Sequence, residues 1–170
     1  MNKKVFKKVP VEDVPMVYDI YCMIENCEIK NRDVEQAMEI YKNDILAKGS
    51  YTYACYIDGK IVASVNVYKN MQYYPTDLHA PFVHLECVMV HKNFQGKGIG
   101  TELISNVVKL VKEEGCTYII GQTPVEAMKK IFFKAGLVER DCEDFRLNID
   151  QPHWKFKVLI PLEIKSLLQK

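Results

Sequence analysis

Residues 84–101 read HLECVMVHKNFQGKGIGT, and this stretch decides the fold. Its start has strand character. Val83, Leu85, Cys87 and Met89 make one apolar face, while His84 and Glu86 share the other. Cys87 then reads as core, since apolar neighbours flank it and nothing nearby would lower its pKa. A turn follows with glycines at alternate positions, Gly96, Gly98 and Gly100. The chain then enters an amphipathic helix, with Leu103, Ile104, Val107, Val108 and Val111 on one face and Gly115 at its end. Strand, glycine turn and helix together make an anion site. The first helical turn leaves backbone N–H groups without partners, and the macrodipole favours negative charge there. Glycines let an anionic group approach the backbone, and Lys97 adds a formal positive charge. The lysine precedes Gly98, so this is no P-loop, and the GxGxG spacing departs from the dinucleotide GxGxxG. Glycines serving only close packing are the alternative reading.

Outward from this stretch, the periodicity alternates between strand and helix. A short strand is predicted at 5–9. Asp13 is placed as the cap of a first helix with Pro15 in its first turn and Val17, Ile20, Tyr21 and Ile24 on one face. A second helix carries Val34, Met38, Tyr41 and Ile45 and stops at Gly49. Strands at 51–57 and 61–68 are joined by Asp58-Gly59, a strong hairpin signal. After the central helix come a strand at 117–120 and a capping box, Thr123-Pro124-Val125-Glu126, that opens a helix with Met128, Ile131, Phe132 and Ala135, ended by Gly136. Two further strands are expected, at 145–149 and 155–160. No repeat or linker interrupts the 170 residues, so one domain is expected across 1–170. The fold class is α/β (α+β mixed), with a central mixed, mostly antiparallel sheet of about six or seven strands flanked by about four helices.

Composition limits the partners. Charged residues balance to +1, which gives no global attraction for nucleic acid or anionic membrane. The basic start at 1–9 lacks a following apolar region, and no apolar run approaches the ~18 residues of a membrane span. The six cysteines form no CxxC pair and no metal-ligand spacing, so the expectation is a reducing, cytoplasmic setting without metal.

Gln95-Gly96-Lys97-Gly98-Ile99-Gly100 resembles the Q/R-x-x-G-x-G/A signature of the GNAT N-acetyltransferase superfamily. The resemblance runs over about residues 83–137, through the closing "FFKAGL". It implies acetyl-CoA as co-substrate. The backbone of Val88, Met89 and Val90 would hold the pantetheine arm, and that of Gln95, Gly96, Lys97, Gly98, Ile99, Gly100 and Thr101 the pyrophosphate. Glu86 matches the position where many members carry a glutamate general base. A carboxylate there would take the proton of an attacking amine, and burial could raise its pKa toward neutrality. The alternative is a Glu86 that only pairs with a cation or with His84. His84 could relay a proton, although a satisfied structural histidine is the plainer reading. The family's usual general acid, a tyrosine, is replaced by Phe132, and the usual asparagine by Val125. Tyr73 and Tyr74 are conceivable substitutes. A CoA thiol near the ~8.5 of cysteine leaves without much help.

Two functions follow from the resemblance. One is an enzyme that moves the acetyl group of acetyl-CoA to a primary amine of a small molecule or peptide. The other is a catalytically weak acyl-CoA-binding module, which Phe132 and Val125 favour. A nucleotide-binding regulatory domain is a third reading from the anion site alone. The acceptor is left open: Glu25, Glu28 and Asp77 would attract a cation, Lys30, Arg32 and Lys69 repel one. Dimers are frequent in the superfamily.

Overall fold

The structure is a computed structural model, and it describes residues 3–25, 31–69, 82–116, 118–122, 126–140 and 158–160. The predicted strand at 145–149, the capping residues 123–125, Tyr73, Tyr74, Cys27 and Cys142 lie outside these.

Among the described residues the chain runs β1 (Lys4–Lys8), α1 (Val14–Glu25), α2 (Asn31–Ile40), β2 (Tyr51–Ile57), β3 (Lys60–Lys69), β4 (Phe82–Val90), α3 (Ile99–Glu113), β5 (Tyr118–Gln122), α4 (Glu126–Lys134), β6 (Val138–Arg140) and β7 (Val158–Ile160). One mixed sheet has the order β1-β2-β3-β4-β5-β7-β6. Among the described strands β4 and β5 pair in parallel and the other pairings are antiparallel. The β2–β3 hairpin turns on Asp58 and Gly59, both at positive φ (50° and 75°), as a type I′ turn requires.

The sheet is a middle layer. On one side α3 buries Leu103, Ile104, Val107 and Val111, and α4 buries Phe132, against Val65 and Val67 of β3 and Val83 and Leu85 of β4. On the other side Val14 and Ile20 of α1 and Ala37 of α2 cover Ala54, Tyr56 and Ile61. Period-2 burial on the strands and period-3.6 burial on the helices put an apolar face at each interface.

Three local expectations are corrected. Asp13 belongs to a single 3₁₀ turn ahead of α1 and accepts a hydrogen bond from the Tyr56 hydroxyl at 2.8 Å. The second helix does not stay α-helical to Gly49: it widens to a π turn at Tyr41–Ile45 and tightens to 3₁₀ at Leu46–Lys48. There the Tyr41 hydroxyl takes a hydrogen bond from Thr52 N at 3.0 Å and donates to Val9 O at 2.9 Å, bridging the end of the β1–β2 pair. Lastly, Cys87 is not core. It is an exposed residue at φ 50°, and the β3–β4 register slips between Ser64 and Asn66 opposite it. This bulge inserts one residue, so the apolar face of β4 passes from Val83 and Leu85 to Val88 and Val90, and Met89 joins the α1–α2 side.

Glu114, just past α3, ties the helix to the sheet. Its carboxylate meets Lys8 Nζ at 2.6 Å, Lys69 Nζ at 2.9 Å and the Tyr51 hydroxyl at 2.9 Å. Partial burial works to raise its pKa, but the hydrogen bonds from Lys8, Lys69 and Tyr51 outweigh it and hold the carboxyl below its ordinary range. A depressed folded pKa stabilises above the unfolded value of about 4.3, and that contribution is lost as pH falls through the folded value. Glu114→Gln should therefore cost about 1 kcal/mol at neutral pH. Thermal melts of the two proteins should converge once pH has fallen through that lowered folded value.

Candidate functional site

The site begins where β4 and β5 part. Their parallel pairing runs from Phe82↔Tyr118 to Leu85↔Gly121 and stops. Beyond it Gly121 and Gln122 pair with β7, while the rest of β4 runs on without a β5 partner. Among the described residues the β4 backbone past Leu85 thus has no strand partner on that side, a sheet edge.

After β4 the chain makes a 3₁₀ turn at Lys92–Phe94, and Gln95 Nε2 donates back to Val90 O at 3.0 Å. Gly96 and Gly98 then adopt φ of 72° and 78°, a region that side chains with a Cβ rarely enter. Among the described residues nothing stands within 4 Å of where a Cβ would lie on either, and both glycines are exposed. Gly98 is the N-cap of α3 and, having no side chain, caps none of the helix's first N–H groups. Gly100 differs: a Cβ on it would meet Ile131 Cδ1 at 2.9 Å and Val90 Cγ2 at 3.4 Å. Close packing explains Gly100, and backbone conformation explains Gly96 and Gly98.

A cleft of about 630 Å³ occupies this opening. Val88, Met89, Val90, Gln95, Gly96, Gly98, Ile99, Gly100 and Thr101 line it. Ile24 of α1 reaches it, and Ala127, Met128, Lys130, Ile131 and Lys134 of α4 form the far wall. Lys97 is not among the lining residues; its ammonium lies over the Phe94 ring, 5.3 Å from the centroid. Lys130 and Lys134 bring the positive charge to the cleft, and sequence reading missed them. Their i,i+4 spacing put them on one helical face, but which face met the cleft was set by packing.

Glu86 is the first β4 residue past the last β5 partner, and it does not line the cleft among the described residues. It lies on the α1–α2 side of the sheet, opposite Asn66 of β3. Here a polar strip crosses the strands. Thr52 Oγ1 donates to Asn66 Oδ1 at 2.8 Å, and Asn66 Nδ2 donates to the Tyr68 hydroxyl at 3.4 Å. His84, 1% exposed, holds Nδ1 3.0 Å from Glu86 Oε1. The Tyr68 pKa is pushed up to about 12 by burial, then by the charges of Glu86 and Cys87. The Cys87 thiol, its residue exposed, is also raised by desolvation and Glu86, which rules against a thiolate nucleophile. Phe132 is 1% exposed and packs on Gly121 in the core, and it is not among the lining residues. No group of three potential metal ligands occurs among the described residues, and none of their helices is long and apolar enough to cross a membrane.

Comparison with known proteins bears on this geometry. A family model described as the Acetyltransferase (GNAT) family matches residues 15–136. Curated proteins give no match. Solved structures match at low identity and show the fold. A putative acetyltransferase from Agrobacterium tumefaciens is 17% identical, covers 86% of this chain and 99% of its own, and has a TM-score of 0.70. A predicted acetyltransferase with acetyl-CoA from Clostridium acetobutylicum is 14% identical, with coverage of 84% and 94% and a TM-score of 0.64. Glucosamine-6-phosphate N-acetyltransferase from Arabidopsis thaliana is 18% identical, with coverage of 83% and 95% and a TM-score of 0.65.

Proposed function

The chain belongs to the GNAT acetyltransferase family, and from that premise we propose that it transfers the acetyl group of acetyl-CoA to a primary amine, with Glu86 as general base. The observation that carries the reading is the open turn over Gly96 and Gly98, set against the free edge of β4. It joins the two things a CoA tail and arm require. A diphosphate needs unpaired N–H groups that it can approach closely, and the pantetheine amides need an unpaired strand edge. Val88, Met89 and Val90 would take the arm, and the backbone of Gln95, Gly96, Lys97, Gly98, Ile99, Gly100 and Thr101 the diphosphate. Lys130 and Lys134 of the cleft wall would add side-chain cations for those phosphates.

Acetyl-CoA, when bound, supplies an acetyl thioester: an amine nitrogen bonds its carbonyl carbon, the C–S bond breaks and the thiolate leaves. The protein must position the amine and accept its proton. Glu86 stands where β4 leaves β5, partly exposed, with Oε1 against His84. It can take the proton directly or through a water and release it to solvent. A small molecule or a peptide can deliver the amine.

Acetyl-CoA at about 100 Kd should raise the unfolding free energy by about 2.7 kcal/mol. Alanine at Lys130 and Lys134 together should weaken CoA binding by about tenfold, and Lys97→Ala by under about twofold, since a screened ion pair is worth under ~1 kcal/mol. Isothermal calorimetry checks both. The decisive assay is thiol release from acetyl-CoA with a panel of primary amines. Buried Phe132 at the usual acid position favours a second reading, an acyl-CoA-binding module. Tight binding with no turnover on any amine would establish that module instead.

A further inference from the structure

We propose that His84 is a positioning residue for Glu86: it holds the carboxylate in the orientation that accepts the amine proton. This rests on the reading of Glu86 as the base. His84 and Glu86 are two apart on β4, so their side chains leave the same face. His84 is sealed between strands: Tyr68 of β3 stands across from it on one side and Ile120 of β5 on the other. At 1% exposure its imidazole is shut off from bulk water, whereas the Glu86 side chain is 39% exposed. One partner is fixed and the other can turn.

The 3.0 Å contact between Nδ1 and Oε1 lacks the alignment of a full hydrogen bond. Distance carries more weight here than alignment, because the exposed carboxylate needs only a small rotation, and catalytic hydrogen bonds often tighten when substrate binds. A carboxylate can only accept, so the hydrogen belongs on Nδ1. Once formed, such a bond would occupy Oε1 and leave Oε2 to take the proton. The bulge at Cys87 fits this arrangement. It turns the chain immediately after Glu86, so His84 and Glu86 remain on the α1–α2 side while Val88 and Val90 turn to the opposite core. The titratable groups recorded against Glu86 among the described residues are His84 and Cys87 of its own strand and Tyr68 of β3. Cys87 and Tyr68 are both raised and stay neutral near pH 7.

Steady-state kinetics across pH on His84→Leu and His84→Asn test the proposal. Asparagine keeps an N–H at nearly the Nδ1 position, and leucine keeps only the bulk. His84→Leu should lower kcat about tenfold with the KM for acetyl-CoA unchanged, and move the acid limb of kcat/KM up by about one pH unit, as loss of a donor to a carboxylate requires. His84→Asn should restore kcat to within about threefold. On a Glu86→Gln background the leucine change should add nothing, because the two act as a unit. A folded His84→Leu enzyme with unchanged kcat and acid limb overturns the proposal. If Glu86→Gln itself keeps full activity, the base reading fails instead. Should His84→Leu not fold, imidazole nitrogen NMR on the wild type decides. Hydrogen on Nδ1, with a shift that responds to Glu86→Gln, supports the proposal; hydrogen on Nε2 alone overturns it.

Discussion

Glu86→Gln should lower kcat by about 10²- to 10³-fold and leave the Kd for acetyl-CoA within about twofold. The size follows from the work assigned to the carboxylate. An amine that bonds carbon must lose a proton, and glutamine has the shape of glutamate without a site to take it. The affinity is spared because Glu86 does not line the cleft among the described residues. The same separation predicts that the surviving activity rises with pH, as solvent hydroxide removes the proton that Glu86 no longer takes. Stopped-assay thiol release against pH, paired with calorimetry, reads both quantities. Equal losses in kcat and in cofactor affinity would mean that the change disturbs the β4 edge instead of the chemistry.

Phe132→Ala should destabilise the protein by about 3–5 kcal/mol, the cost of removing a large core aromatic. The ring is 1% exposed and lies on the β5 backbone: a Cβ on Gly121 would stand 2.8 Å from Cζ and 3.0 Å from Cε2. The contact is so close that only glycine fits beneath it. Gly121→Ala should therefore cost about 1–3 kcal/mol by overpacking the same spot from the other side. The geometry also bears on the missing acid. The atom nearest Gly121 is Cζ, the carbon on which tyrosine would carry its hydroxyl, so Phe132→Tyr drives an oxygen toward β5. That variant should lose stability and gain no turnover. Chemical denaturation measures the first and thiol release the second. A faster Phe132→Tyr enzyme would show that the acid is needed and that this position reaches the thioester.

How much of this was legible in the sequence depended on the range of the signal. Gly49, Gly115 and Gly136 end their helices at positive φ, and Asp58-Gly59 makes the hairpin, because each device is local and residue-specific. The glycine turn was legible for the same reason. The Cys87 bulge was not. Alternation assumes one residue per step, and a cysteine in a left-handed conformation is held there by the sheet instead of by its own preference. β6, three residues long, is too short to carry a period. The α4 wall was hidden because Lys130 and Lys134 gain meaning only once α4 packs against the turn. Close packing at Gly100 was available as the bland reading, and it holds there beside the open space at Gly96 and Gly98.

Amide NMR during titration with coenzyme A is the most direct measurement of the central idea, that the peptide N–H groups around the glycine turn grip the diphosphate. The largest shifts should fall on Gly96, Gly98, Ile99, Gly100 and Thr101, with a second group on Val88 to Val90. Saturation with those resonances unmoved, or shifts confined to another part of the sheet, would contradict it.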